Sequence, residues 1–375
     1  MTDPTLVFQD LNETQLAVGV KLDIPYVVAE VLVAVMAVAG NLLVIVAFAV
    51  DRRLQRLTNY YIVSLAIADF LVGLMGIPFA VLTSVGLPHN SFIACLFMLS
   101  VLVVLCTISI FNLVAVSVDR FWAILFPLNY ASHMSKRAAQ GIIIVCWILG
   151  ALIGFLPVIG WHQHPTSTDS CLFVFVMDYN FLVFLYFATI VGPSLLMGIF
   201  YGRIYCVVVQ QVRLRSGSTT SGVRQISALQ RGPSSITMSA LQNGGRTNPK
   251  VASRRDVKAA KNLFIIVTFF VFCWIPLYTI NCVQAFCRSC WVPMELMSFT
   301  IVLSHANSAC NPLVYAWHLK DFREAMRRCL CGKRPLASAA LAGATGSLPT
   351  LACSYPTART MSLPATPVQM ITTKS

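Results

Sequence analysis

Residues Ser304–Tyr315 read Ser-His-Ala-Asn-Ser-Ala-Cys-Asn-Pro-Leu-Val-Tyr and directly follow the apolar run Phe299-Thr-Ile-Val-Leu303. A histidine, two asparagines, two serines and a helix-breaking proline therefore interrupt a strongly apolar region. In a soluble core each such group carries a desolvation cost unless it finds a partner. The segments around it decide between a poor core helix and a membrane helix with a polar interior.

The 375-residue chain is 57% hydrophobic and only 11% charged, with a mean hydropathy of +0.75. Soluble domains carry about 25% charged residues, so lipid is the expected solvent. Windows of roughly 20 apolar residues cross a hydrocarbon layer about 30 Å thick. Seven of them recur, near 25–50, 58–83, 94–119, 138–158, 179–207, 260–282 and 294–317. Pro78, Pro157, Pro193, Pro276 and Pro312 interrupt them, which is tolerated where neighbouring helices, side chains or waters satisfy the freed carbonyl. The predicted fold is an all-α membrane protein, a seven-transmembrane helix bundle over residues 25–318.

Lysine and arginine set the direction, because positive loops stay on the cytoplasmic side. Arg52, Arg53, Arg56, Lys136, Arg137, the arginine-rich stretch near 208–258, and Lys320, Arg323, Arg327, Arg328, Lys333 and Arg334 share one side. Lys21 and Arg288 lie on the other. Residues 1–24 are thus expected to be extracellular and residues 332–375 cytoplasmic, in a multi-pass protein of the plasma membrane. The start, Met-Thr-Asp-Pro-Thr-Leu, shows no basic region before a short apolar run, so the first span is expected to act as its own insertion signal. Asn12-Glu-Thr14 is a glycosylation sequon on the extracellular side.

Residues 213–253 are rich in Ser, Gly, Arg and Gln without apolar periodicity, which predicts a flexible cytoplasmic loop. Its hydroxyls suit phosphorylation, or the segment is an unmodified spacer. Residues 332–375 are rich in Ala, Ser, Thr and Pro and are expected to be disordered. Between the two, residues 319–331 place Phe322, Met326 and Leu330 at i, i+4 and i+8 opposite basic residues, the pattern of an amphipathic helix on the membrane surface. Cys329 and Cys331 stand where palmitoylation would anchor it, unless they remain free thiols.

Four of the thirteen cysteines fall on the extracellular side. That side is oxidising, so the disulfides Cys95–Cys171 and Cys287–Cys290 are expected. Cys287-Arg-Ser-Cys290 has no second ligand pair to make a zinc site. His162 and His164 read either as metal ligands or as solvated loop residues.

Polar groups inside the bilayer are costly and mark function by default. The spans carry Glu30, Asn41, Asp69, Ser109, the triplet Asp119-Arg120-Phe121, His305, Asn307 and Asn311. Asp69, Ser109, Asn307 and Asn311, with Trp274 beside them, suit a small cation such as sodium. A water-filled network around a protonated Asp69 fits the same residues. Arg120 and Asp256 sit at one depth on the third and sixth spans, so an interhelical ion pair there would break if the sixth helix moved outward.

Taken together, Asn41, Leu65-Ala-Ile-Ala-Asp69, Asp119-Arg-Phe121, Trp147, Pro193, Tyr201, Phe270-Val-Phe-Cys-Trp-Ile-Pro276 and Asn311-Pro-Leu-Val-Tyr315 resemble the rhodopsin-like G-protein-coupled receptors over residues 25–332. Phe121 stands where that family usually has tyrosine. The resemblance implies an outer ligand site and no enzyme activity. It also implies a switch made of Asp119, Arg120, Asp256, Tyr201, Phe270, Trp274, Pro312 and Tyr315, facing an inner crevice for a heterotrimeric G protein. Arrestin, receptor kinases and membrane lipids are further implied partners, and nucleic acid is not.

Cys171-Leu-Phe173, Trp274-Ile-Pro-Leu-Tyr-Thr-Ile-Asn-Cys282, the Cys287–Cys290 loop and Ile301-Val-Leu-Ser-His-Ala-Asn-Ser308 are closest to the adenosine receptors. By that resemblance Phe173 would stack on a purine, Asn281 would bond its edge, and Leu277, Met297 and Ile301 would form apolar walls. Ser304 and His305 would meet a ribose, with Glu30 holding the imidazole. Cys106, Tyr278, Leu185 and Val174 depart from residues common in that subfamily, and a thiol is a poorer hydrogen-bond partner than a hydroxyl.

The chain lacks what rival classes require. An amine receptor needs an acid in the outer third span, where Leu102 stands, and an opsin needs a lysine where His305 stands. A transporter would show matched, broken halves. An intramembrane enzyme would need a nucleophile beside Glu30 and His305. An orphan receptor for another small ligand is the remaining alternative.

Overall fold

A computed structural model describes residues 23–89, 91–163, 171, 173–229, 254–287 and 290–330, with only the backbone given for 174–175, 211–229 and 254–263. Seven long helices dominate: α1 (Ile24–Val50), α2 (Leu57–Ser84), α3 (Phe92–Leu125), α4 (Lys136–Gly154), α5 (Tyr179–Gln210, helical on to Leu229), α6 (Arg254–Phe286) and α7 (Met294–His318). A short helix, α8 (Lys320–Leu330), follows. Among the described residues β-structure is limited to isolated bridges, Gly86 with Cys171 and His162 with Met177.

Capping residues mark several helix starts. Asp23 accepts from the Tyr26 N–H ahead of α1, Ser135 from Ala138 ahead of α4, and Asp178 from Asn180 and Phe181 ahead of α5. Each satisfies an N–H that the helix itself leaves without a partner. Within α2 and α5 proline reshapes the ladder. The Ile77 N–H reaches back to Val72 just before Pro78, and the Gly192 N–H to Phe187 just before Pro193. Proline offers no N–H and crowds the carbonyl four residues back, so a π-helical turn precedes it in both helices.

Six helices are long and apolar enough to cross a membrane. α7 has the length, with 25 residues, but is not among the six, because His305, Asn307 and Asn311 dilute its hydropathy. The exposed surface is apolar in the way lipid demands: Leu32, Ile144, Ile148, Leu152, Leu195 and Phe272 all face outward. Burial runs the other way along α3, where 67% of the spanning window is buried against 22% for α4. α3 is therefore the central post, with α2, α4, α5 and α6 against it.

Two differences from expectation concern the inner connections. The backbone of α5 stays helical to Leu229, so residues 213–229, expected in the loop, extend the helix, although Ser216–Gly222 consists of poor helix formers. Residues 1–22, 230–253 and 331–375 lie outside the described residues, and with them Asn12 and Cys331. α8 buries Phe322 and Met326, with the Phe322 ring 5.9 Å from Tyr315, while Leu330, the third member of the expected stripe, is 73% exposed. Arg328 pairs with Asp51 at 3.1 Å and Asp321 with Arg56 at 3.6 Å, tying α8 to the α1–α2 connection.

α3 and α4 approach each other closely. A Cβ at Gly154 would lie 2.6 Å from the Val104 backbone nitrogen and Cα, whereas one at Gly141 would meet nothing within 4 Å. Backbone cannot give way as a flexible side chain can, and overpacking costs about 1–3 kcal/mol. Gly154→Ala is therefore expected to lower the thermal midpoint of the detergent-solubilised protein, with Gly141→Ala, where alanine only improves helix propensity, equal to or above the native midpoint as its control. Equal midpoints for the two variants would show that the seam is not tight.

Candidate functional site

Polar side chains form a discontinuous column along α7. At the end nearest the disulfides, His305 Nδ1 lies 2.9 Å from both Glu30 carboxylate oxygens, with both residues buried. Tyr26, one turn away on α1, is buried beside the same carboxylate. A charge this deep is sustained only when paired and hydrogen-bonded, so α1 and α7 are locked together here. Ser304 is buried too and donates to the Ile301 carbonyl at 2.7 Å.

Deeper along α7, Asp69 gathers three donors. Ser109 and Ser308 hydroxyls each reach Oδ1 at 2.8 Å, and the Asn311 amide reaches Oδ2 at 2.7 Å. Ser308 was not expected in this cluster, although its place three residues before Asn311 puts both on one helix face. Asn307 does not bond Asp69; its Oδ1 is buried without a partner, as is the indole N–H of Trp274. As cation ligands the Asp69 carboxylate, the Ser109 and Ser308 oxygens and the orphaned Asn307 oxygen fit a hard ion. Trp274 brings only an N–H and cannot ligate one. Nearby, Asn41 donates at 2.9 Å to the Ser308 carbonyl, the one that Pro312 cannot bond.

At the opposite end Arg120 is folded onto its neighbour. Its Nη2 and Nε donate to Asp119 Oδ2 at 2.6 and 3.0 Å. Thr58 donates to the same oxygen at 2.9 Å, and the Tyr130 hydroxyl to Oδ1 at 2.7 Å. Burial, with Asp119 adding to it, pushes the Tyr130 phenol up to about 12, so it stays a donor. Neither Thr58 nor Tyr130 could be found by sequence spacing, since each comes from a different helix. Asp256 lies in the first turn of α6, and its side chain is outside those described. Tyr201 is buried with its ring 5.7 Å from Phe264, and Phe121 packs on Phe200 at 4.7 Å. Phe270 and Tyr315 are buried in the core.

Both expected disulfides form, Cys95–Cys171 and Cys287–Cys290. The first, with the Cys171 N–H donating to Gly86 at 3.0 Å, pins the short helix Phe173–Val176 near the end of α3. The half-buried Phe173 belongs to this element. Leu277 and Asn281, one turn apart on α6, and Met297 and Ile301, one turn apart on α7, are also half-buried, and the two helices pack together. His162, in the connection after α4, is half-buried, and its Nδ1 lies 2.7 Å from the Pro157 carbonyl. No group of three or more potential metal-ligating His, Cys, Asp or Glu side chains occurs among the described residues, and His164 is outside them.

Comparison with known proteins agrees with this arrangement. The chain is 37% identical to the adenosine receptor A2a of Canis lupus familiaris over 323 residues, 81% of this chain and 72% of that protein. It is 36% identical to the adenosine receptor A2b of Gallus gallus over 322 residues, covering 80% and 86%. The A2b receptor of Bos taurus is 36% identical over 354 residues, 88% of this chain and 97% of the relative. The profile of the family described as 7 transmembrane receptor (rhodopsin family) matches residues 40–315. With its helical bundle, paired disulfides and buried Asp119–Arg120 end, the chain belongs to the rhodopsin family of seven-transmembrane receptors.

Proposed function

We propose that this protein is a plasma-membrane receptor that detects an extracellular purine, adenosine or a close relative, and passes the signal to a heterotrimeric G protein acting on adenylate cyclase. The observation that carries this reading is the buried Glu30–His305 pair, 2.9 Å apart, at the end of the bundle where Phe173, Asn281 and Ile301 are half-buried. The relatives named adenosine receptors support the purine assignment.

In this reading Phe173 supplies an aromatic plate, Asn281 a donor–acceptor edge, and Leu277, Met297 and Ile301 apolar walls, the minimum that orients a flat heteroaromatic. Ser304 and His305 lie beneath them. The disulfide end faces the cell exterior, as the chemistry of cystine requires, and the Arg120 end faces the cytoplasm. Ligand binding favours a state in which α6 swings out and Arg120 leaves Asp119 for the G protein. A sodium ion held by Asp69, Ser109, Ser308 and Asn307 would favour the resting state. Asn12 would carry a glycan, and Cys329 with Cys331 would carry palmitate beside α8.

The first test is a purine panel headed by adenosine, titrated on cells expressing the chain, with cyclic AMP as the readout. A concentration-dependent change is expected, and Asn281→Ala should shift it by at least about ten-fold, since two hydrogen bonds to the base are lost. No change in either direction, with surface expression confirmed, overturns the purine assignment. The second test replaces choline by sodium at constant ionic strength. Sodium should weaken binding of an activating purine in the native receptor and not in Asp69→Asn. The same dependence in both removes the ion from this site.

A further inference from the structure

The residues around the proposed ligand site divide sharply by access to solvent. Phe173, Leu277, Asn281, Met297 and Ile301 are half-buried, whereas Cys106, Leu185, Trp274 and Tyr278 beneath them are buried, Tyr278 being the most exposed of the four at 8%. The deep half is therefore filled by the protein's own side chains. Tyr278 is packed within it. Its ring lies 6.3 Å from Tyr186, nearly parallel to it, and 5.6 Å from Trp274. Its hydroxyl meets that of Thr189 on α5. The Thr189 hydroxyl itself donates to the Leu185 carbonyl at 2.7 Å.

Of the remaining deep polar groups, the Trp274 N–H is buried without a partner, and the others are partly committed. Ser304 donates to Ile301, His305 Nδ1 is held by Glu30, and Cys106 offers only a thiol.

We propose that Tyr278 closes the deep half of the site, so that the preferred ligand is an aminopurine base such as adenine rather than its nucleoside. This rests on the purine-receptor reading above and narrows it. A ribose brings several hydroxyls, and each one desolvated without a partner lowers affinity by roughly ten-fold or more. Ser304 gives its proton to Ile301 and His305 Nδ1 faces Glu30, so few partners are left for several hydroxyls, and the space is taken by a phenol. A free base asks only for a plate, an amide edge and apolar walls, all of which sit in the accessible half.

The test compares adenine with adenosine on the full chain, reading both cyclic AMP and competition binding. Adenine is expected to be the more potent by about ten-fold or more. In the double variant Tyr278→His, Cys106→Thr, which frees volume and restores polar partners, adenosine should gain on adenine by at least about ten-fold. Tyr278→Phe keeps the ring and loses only the hydroxyl, so the preference for the base should persist.

Adenosine exceeding adenine on the native chain overturns the inference while leaving a purine receptor in place. An unchanged ranking in a double variant that reaches the cell surface overturns it as well. Silence toward both compounds overturns the purine reading and the inference together. If the double variant does not reach the surface, the native ranking decides alone.

Discussion

Pro312 has no N–H for the Ser308 carbonyl four residues back, and the Asn41 amide supplies one from α1 at 2.9 Å. Gly40 lets the two helices meet at this point, since a Cβ there would lie 3.0 Å from the proline ring. The register this sets extends in both directions. Glu30 is eleven residues before Asn41, about three full turns, so both face α7, and Glu30 arrives opposite His305. On α7, Ser308 and Asn311 are then turned toward α2, where both bond Asp69. One missing donor and its replacement thus align three polar contacts that no single helix could organise.

The result is a bundle whose polar groups are arranged as separate stations rather than as a continuous channel. Each station joins helices that would otherwise share only apolar contacts: α1 with α7 at Glu30–His305, α2 with α3 and α7 at Asp69, α2 with α3 at Thr58–Asp119. In lipid, apolar packing alone discriminates poorly between helix arrangements, because the solvent is as apolar as the side chains. Hydrogen bonds at fixed depths supply the discrimination. Orphaned atoms between stations, the Asn307 oxygen and the Trp274 N–H, mark where the network has room for a second arrangement.

Much of this was legible in the sequence because lipid imposes strict rules on it. Span positions and both disulfides could be anticipated from hydropathy and from the side on which cysteines fall, and the Glu30–His305 pairing from the resemblance to adenosine receptors. The seventh span shows the limit: by hydropathy alone α7 falls short, and its polar content, the reason for the shortfall, is also its function. What could not be read was partnership across helices. Thr58 and Tyr130 reach Asp119 from segments 61 and 11 residues away, and nothing in their local spacing announces it. Ser308 escaped notice because a serine on a helix usually bonds its own backbone, as Ser304 does. The filling of the deep site by Tyr278 likewise depends on where α5 places Thr189 and Tyr186, which is a property of packing rather than of pattern.

The seam between α3 and α4 constrains the length of the chain as well as its shape. Trp147 donates to Ser64 on α2 at 2.9 Å, and Gly150 and Gly154 admit Ile108 and Val104 of α3, all on one face of α4. Inserting or deleting a single residue between Trp147 and Gly154 would rotate part of that face by about 100° and present a bulky side chain to the α3 backbone. Length changes in this stretch therefore disrupt packing, even though most of the helix surface is exposed and its side chains take no part in the polar column. The segment that looks most replaceable by composition is among the least free to slip.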